Sequence, residues 1–142
     1  MDLDGTDYQA LAEFRYQLRR FLQFSEEQAR QHGLEPQQHQ ALLTIKGLSD
    51  GSRPTIGELA NRLGLRHHTA VELVNRMESA SLIKRHPDPK DGRQILLSLT
   101  SQGAAKLRAL SLAHHDELRV KGPELAKALR AILRRSKAAH AA

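Results

Sequence analysis

The sequence contains no cysteine and no tryptophan, and aromatic residues make up only 4% of its 142 residues. Without cysteine the chain has no disulfide, no thiolate nucleophile and no thiol redox switch. The lack of cysteine also fits a cytoplasmic protein, since thiol-free chains need no oxidising compartment. With so few aromatic rings, a core of ordinary density has to be built mainly from aliphatic side chains.

Long apolar runs are missing as well. No stretch approaches the roughly 20 apolar residues that span a bilayer, and the acidic start "MDLDGTDYQA" lacks the basic and apolar regions of a signal peptide. The chain has neither a glycine-rich phosphate loop nor a nucleophile motif. We therefore predict no membrane segment, no catalytic residues and no cofactor.

Positive charge is present in excess but is unevenly distributed. The net charge is +6. Residues 1–52 carry five basic and eight acidic side chains, residues 53–93 carry eight and five, and residues 119–142 carry seven and one. Basicity of this kind permits an anionic partner. It does not by itself say which segment meets that partner.

Helical periodicity dominates the first third of the chain. Apolar residues recur at helical spacing over residues 7–31, and Gly33 is placed to end that helix. Pro36 suits a first helical position, so a second helix is predicted over 36–48. The turn-rich "SDGSRP" then separates these helices from the next unit.

Two short helices joined by a glycine-containing turn are predicted next. Thr55 and Glu58 have the spacing of a capping box, and Gly64 breaks the helix that follows. A second helix is predicted over 67–80, with Ala70, Leu73, Val74 and Met77 facing inward. This pattern is typical of a helix-turn-helix.

A β-hairpin and two further helices complete the prediction. "LIKRH" and "QILLSL" flank the charged loop "PDPKDGR", which indicates a hairpin. Thr100 is predicted to cap a helix reaching about residue 120, where Gly122 and Pro123 should break it before a last helix. The long terminal helices are amphipathic, and a second copy of the chain packing on them accounts for their length.

The order of these elements resembles the MarR family of winged helix-turn-helix transcriptional regulators. "DGRQILLSLTSQG", Asp91 to Gly103, matches the wing signature of that family, which is Asp-x-Arg, five residues, Leu-Thr, two residues and Gly. "IGELANRLGLRHHTAVELVNRMESASLIKR", Ile56 to Arg85, matches its helix-turn-helix in length and apolar positions. The resemblance covers essentially the whole chain.

The resemblance implies a mainly α fold, a winged helix-turn-helix with N- and C-terminal dimerisation helices and a small β-hairpin wing. Residues 1–142 would form a single domain, with a DNA-binding lobe at 36–100 and dimerisation helices at 7–33 and 101–140. The implied function is a cytoplasmic homodimer that binds a pseudo-palindromic operator in double-stranded DNA. It would act as a repressor that a small aromatic or anionic effector releases.

DNA-contacting residues follow from the same resemblance. The helix near 67–80 would enter the major groove, and Arg93 in the wing would enter the minor groove, where a cation is favoured. Asp91 is expected to orient the wing and its arginine. The predicted DNA-binding residues are Arg66, His67, His68, Thr69, Arg76, Lys90 and Arg93. Family members often have Ser or Thr where Arg66 stands, so Thr69 is expected to act as the helix cap here.

Other interpretations of these residues remain open. Metal binding by His67 and His68 is disfavoured because adjacent helical residues point about 100° apart, and no metal site is predicted. Tyr16, Arg19, His39 and His114 are candidates for an effector pocket. His114 is alternatively a hydrogen-bonded residue on an apolar helix face. For the whole protein, the alternative is a winged-helix protein-interaction module whose charges are only solvated surface.

Overall fold

The structure, a computed structural model, describes residues 2–49, 51 and 53–141, with side chains described as far as residue 135. Its elements in chain order are α1 (Gly5–Gln31), α2 (Pro36–Leu48), α3 (Ile56–Leu63), α4 (His67–Ser79), β1 (Ile83–Pro87), β2 (Ile95–Leu99) and α5 (Ser101–Ala141). The predicted mainly α fold with one small hairpin is confirmed. Among the described residues, no helix is both long enough and apolar enough to cross a membrane.

The chain forms two compact units. The winged-helix unit comprises residues 29–111, and the helical unit combines the chain up to residue 28 with the chain from residue 112. α1 and α5 each contribute to both units. The predicted lobe, residues 36–100, lies wholly inside the winged-helix unit.

Capping hydrogen bonds explain where three helices begin, and those of Thr55 and Thr100 were predicted from the sequence. The Glu35 backbone N–H donates to the Gln38 side chain at 2.9 Å ahead of α2. The Thr55 hydroxyl accepts from the Glu58 N–H at 3.1 Å and caps α3. The Thr100 hydroxyl accepts from the Gly103 N–H at 3.0 Å and caps α5. Each bond satisfies a backbone donor that has no partner inside its helix.

Aliphatic side chains form the core of the winged-helix unit, as the scarcity of aromatic residues requires. The four predicted inward residues of α4 are all buried. Leu73, Val74 and Met77 pack with side chains from α2, α3, the hairpin and the start of α5. The largest fully buried residues of this core are Leu42, Ile45, Leu59, Leu73, Met77, Ile83, Leu97 and Leu110. This core determines which side chains of α4 and the hairpin face outward.

β1 and β2 pair antiparallel, from Ile83 opposite Leu99 to Pro87 opposite Ile95. The strands lie within one residue of their predicted positions. The Leu97 N–H also donates to the Pro54 carbonyl at 2.8 Å. The segment ahead of α3 therefore runs beside β2 and is held to the hairpin.

In the helical unit, the ends of α1 and α5 are joined by an ion-pair cluster. The Arg135 guanidinium donates to Asp7 Oδ1 at 2.9 Å and to Asp4 Oδ2 at 3.0 Å. Asp4 also accepts from the backbone N–H groups of Thr6 and Asp7, so it caps α1. The Asp7 backbone bond, together with the Thr6 bond and the Arg135 charge, lowers the pKa of the Asp4 carboxyl from its ordinary value.

The C-terminal break predicted at Gly122 and Pro123 is wrong. α5 is a single helix from Ser101 to Ala141, with Pro123 inside it. Proline removes one backbone donor and crowds the carbonyl four residues earlier, which usually ends a helix. Here residues on both sides of Pro123 pack within the helical unit, including the buried Ala128. Tertiary packing thus overrides the local signal.

The turn after α4 requires a left-handed residue, and Ser81 occupies it with φ of 61°. The Leu82 N–H donates to the Met77 carbonyl at 2.9 Å, which closes the helix end in the way that glycine usually permits. A side chain in this conformation costs about 1–2 kcal/mol.

We expect Ser81→Gly to stabilise the protein by about 1 kcal/mol, because glycine adopts the left-handed conformation without steric cost. Urea denaturation followed by circular dichroism measures the change. Ser79→Gly is the matched control. Ser79 is exposed in the last turn of α4, so the same replacement there should destabilise by about 0.5–1 kcal/mol. Equal effects at both positions would contradict the expectation.

Candidate nucleic-acid interface

The turn between α3 and α4 sets the direction of α4, the recognition helix of the predicted helix-turn-helix. Gly64 adopts φ of 67° and ψ of 34°, the left-handed conformation that ends α3. The Leu65 N–H then donates to the Ala60 carbonyl at 2.9 Å. Arg66 is extended, with φ of −67° and ψ of 152°, and stands at the N-cap of α4. The helix-turn-helix predicted from the sequence is therefore present.

The prediction that Thr69 caps the recognition helix is wrong. α4 begins at His67, and the Ala70 N–H already donates to the Arg66 carbonyl at 3.0 Å. Thr69 consequently lies inside the first turn. The backbone of the preceding turn decides where the helix starts, and that turn delivers Arg66, which has no side-chain cap bond, in the extended conformation.

One arginine and two histidines are exposed together at the start of α4. Arg66, His67 and His68 are exposed, and Thr69 is half-buried. Within the described part of the chain, no hydrogen bond or ion pair engages the Arg66 side chain. The N-terminus of an α-helix carries unsatisfied N–H groups and a positive partial charge, which favour phosphate. The geometry leaves these side chains available to nucleic acid.

Arg76 and Arg85 differ from that cluster because both are engaged within the protein. Arg76 pairs with Glu35 at 3.2 Å. Arg85 donates to Glu78 and to Asn75, each at 2.7 Å. The Arg76 pair is half-exposed, and pairs of this kind contribute at most about 1 kcal/mol. DNA phosphate can compete for such an arginine, so DNA contact by Arg76 stays a prediction.

The wing extends beyond the two strands. The Asp88 N–H donates to the Gln94 carbonyl at 2.9 Å, one step past the Pro87–Ile95 pair. Lys90 and Arg93 lie in the tip between them, and the Arg93 side chain is 93% exposed. Asp91 Oδ1 accepts from the Arg93 backbone N–H at 3.2 Å and lies 3.4 Å from its Nε. The contact has the form that an orienting role for Asp91 requires, and that role stays a prediction.

Two residues of the wing base were missed by sequence reasoning. Asp88 is buried and forms an ion pair with Arg53, from the segment ahead of α3. The only local signal for Asp88 is its position two residues before Lys90, the spacing at which an aspartate bonds a turn amide. Nothing in the sequence around Arg53 indicates this partner, because the two residues are far apart along the chain.

The effector-pocket candidates divide between the two units. In the helical unit, Tyr16 and Arg19 are exposed on α1, and the Arg20 guanidinium lies 5.4 Å from the centre of the Tyr16 ring. His39 is buried in α2 of the winged-helix unit. An effector pocket formed by these residues stays a prediction.

His114 contacts two aromatic rings of α1. Its ring lies edge-on to Phe21 at 5.9 Å and to Phe24 at 5.3 Å. Its Nε2 lies 2.8 Å from the Ser25 hydroxyl. These contacts fit the alternative of a hydrogen-bonded histidine on an apolar face. No group of three or more His, Asp or Glu side chains able to hold a metal occurs among the described residues.

Comparisons with known proteins agree with this architecture. A sequence model described as the MarR family matches residues 32–94. The HTH-type transcriptional repressor NicR of Pseudomonas putida is 28% identical over 109 residues, which cover 76% of this chain and 69% of NicR.

Two solved structures are also similar. A mutant of MarR from E. coli, complexed with operator DNA, is 22% identical with a TM-score of 0.64 over 86% of this chain and 89% of that one. CouR from Rhodococcus jostii, bound to p-coumaroyl-CoA, is 21% identical with a TM-score of 0.61 over 70% and 68%. Taken with the geometry of the wing, these comparisons show that residues 32–94 are similar to the MarR family, and that the chain shares the fold of solved MarR-family structures.

Proposed function

We propose that the protein is a sequence-specific DNA-binding regulator that acts as a homodimer on a pseudo-palindromic operator. The observation that carries the proposal is the pairing of two exposed basic features in one unit, the start of α4 and the tip of the wing. A helix entering the major groove and a wing reaching the adjacent minor groove need that arrangement. Such a protein works beside the chromosome, so we place it in the cytoplasm.

Exposed apolar side chains support the homodimer. Within the helical unit, large hydrophobic residues of both helices and of the segment before α1 are exposed, namely Leu3, Tyr8, Leu11, Tyr16, Leu22, Leu112, Leu118, Val120, Leu129 and Leu133. Apolar surface of this extent marks an interaction site in a soluble protein. A second copy of the chain is the partner that two-fold symmetry and operator symmetry both require.

Repression relieved by a small ligand is the regulatory mode that we propose. NicR is named a repressor, and the CouR structure contains an acyl-CoA with an aromatic acyl group. For this chain we propose a small aromatic or anionic effector, with Tyr16, Arg19, His39 and His114 as candidate contacts. Members of this family are regulators, and we propose no catalytic role for any residue.

One observation favours a second candidate function. Glu72 is exposed on the outward face of α4, and a carboxylate there repels phosphate. A winged-helix module that binds another protein explains this residue more directly. The two functions differ in how binding depends on salt, because only DNA binding releases condensed counterions.

We expect the purified protein to bind DNA from upstream of its own gene about 10³-fold more tightly than a scrambled fragment. Fluorescence anisotropy with labelled fragments measures both affinities. Raising salt from about 50 to 200 mM should weaken binding by about 10³-fold or more if six or more phosphates are contacted.

Equal and weak binding of both fragments would point either to an operator elsewhere or to the interaction module. Selection from random-sequence DNA separates these two cases. An enriched palindromic motif would restore the regulator proposal, and the absence of any enriched motif would contradict it.

A further inference from the structure

The base of the wing is held by a buried carboxylate. Asp88 directly follows β1, and its side chain is 3% exposed. One of its oxygens, Oδ1, accepts from the Lys90 backbone N–H at 2.8 Å. Its own N–H donates to Gln94, on the opposite side of the wing. Asp88 is thus hydrogen-bonded to both sides of the loop that carries Lys90 and Arg93.

The partner of this carboxylate lies outside the wing. The Arg53 guanidinium forms an ion pair with Asp88 Oδ2 and also donates to Gln94 Oε1 at 3.4 Å. Arg53 directly precedes Pro54, whose carbonyl accepts from Leu97 in β2. Arg53 is therefore attached to the segment that leads into the helix-turn-helix, while its side chain holds the wing.

Burial makes this link stronger than the Asp91–Arg93 contact. Removing the partner of a buried charge leaves an uncompensated carboxylate, which is strongly unfavourable. In the Asp91–Arg93 pair the arginine is almost fully exposed, and pairs in water contribute little. The base of the wing is thus fixed by Asp88 and Arg53, whereas Asp91 acts on the arginine at the tip.

We propose that Arg53 and Asp88 are positioning residues for DNA binding: their ion pair sets the wing relative to the helix-turn-helix and so places Arg93 for the minor groove. This inference rests on the proposed function. Neither residue needs to touch DNA for it to hold. Losing the pair should weaken the contribution of the wing and leave the recognition helix in place.

The direction in which Asp88→Asn changes DNA affinity distinguishes a positioning role from a simple electrostatic effect. Asp88→Asn removes a negative charge close to the proposed DNA surface, so electrostatics alone would tighten binding. If Asp88 positions the wing, affinity falls about tenfold, which corresponds to about 1.4 kcal/mol. Arg53→Gln should give a similar loss, and Arg53→Lys, which keeps the cation, should recover part of it.

A double-mutant cycle tests whether Arg53 acts through the wing. Operator affinity is measured for wild type, Arg53→Gln, Arg93→Ala and the double variant. Positioning predicts that Arg93→Ala costs much less in the Arg53→Gln background than in wild type. Arg62→Gln is the matched control, since Arg62 is an exposed arginine of α3 paired with Glu58, and its effect should add to that of Arg93→Ala.

Amide hydrogen exchange supplies a readout that does not depend on DNA. In Arg53→Gln the Lys90 amide should exchange faster than in wild type, while amides of the α4 core keep their protection. Independent effects of Arg53→Gln and Arg93→Ala, tighter binding by Asp88→Asn, or unchanged Lys90 exchange would each overturn the inference. Failure of wild type to select any operator would instead overturn the proposed function, and Lys90 exchange would still report whether the pair holds the wing.

Discussion

Gly103→Ala is expected to destabilise the protein by about 3 kcal/mol or more, at the upper end of the cost of overpacking. A Cβ at this position would stand 2.1 Å from the Leu82 carbonyl oxygen and 3.0 Å from the Leu82 carbonyl carbon. Both atoms belong to the backbone, so no side-chain rotation relieves the clash. The first turn of α5 would have to move away from the start of β1.

The surrounding bonds show what such a movement breaks. The Thr100 hydroxyl donates to the Ser81 carbonyl at 2.6 Å, and the Thr100 N–H donates to the Leu82 carbonyl at 3.1 Å. These bonds join the end of α4 to the start of α5. Because domains are stable by only about 5–15 kcal/mol in total, losing this junction is expected to leave a substantial unfolded population.

Helix propensity alone predicts that Gly103→Ala stabilises the protein, so the measured change in stability distinguishes the two expectations. Alanine is favoured over glycine inside a helix by about 0.8–1 kcal/mol. Gly47 in α2 is the matched control, since a methyl group added there would meet no atom within 4 Å. Gly47→Ala should therefore stabilise the protein. Guanidinium denaturation of both variants measures the difference, and a Gly103→Ala protein as stable as wild type would contradict the expectation.

Arg93→Ala is expected to weaken operator binding by about 10- to 100-fold, the effect of losing a contact of about 1–3 kcal/mol. The side chain is almost fully exposed at the wing tip, so its removal should leave the fold intact. A cation inserted into the narrow minor groove gains from the strong negative potential there. The slope of log affinity against log salt should also fall by about one.

The control for this prediction removes an equal charge elsewhere. Arg119 is an exposed arginine on α5, paired with Asp116 at 2.6 Å. Arg119→Ala should change operator affinity by less than about twofold, since Arg119 belongs to neither α4 nor the wing, which carry the proposed DNA contacts. Anisotropy titrations at two salt concentrations measure both variants. Equal losses for the two would mean that overall charge, rather than the wing, determines affinity.

Local signals in the sequence were sufficient for most of the secondary structure. Thr55, Gly64 and Thr100 bracket their helices as predicted, because capping bonds and left-handed glycines act over three or four residues. The alternation of the two strands located the hairpin to within one residue. The outward face of α4 followed from helical periodicity, whereas the wing residues Lys90 and Arg93 followed from the resemblance to the MarR family.

Predictions from single residues failed where other parts of the chain, near or distant, compete with them. Pro123 stands inside a continuous helix because packing on both sides outweighs the lost backbone bond. Thr69 is the better capping residue, yet the turn at Gly64 places Arg66 at the cap. In both cases the surrounding structure opposes the preference of the single residue, so that preference alone gives the wrong answer.

The sequence by itself determined the mainly helical character, the helix-turn-helix and the residues that project from it, since each depends on periodicity and short-range capping. Only the tertiary structure decided how the wing is held. Arg53 forms an ion pair with Asp88, and Gly103 lies against the backbone of Leu82. Both pairs are too far apart along the chain for a local sequence pattern to predict them. Such pairs depend on how the elements pack, because burial and close approach arise only after distant segments come together.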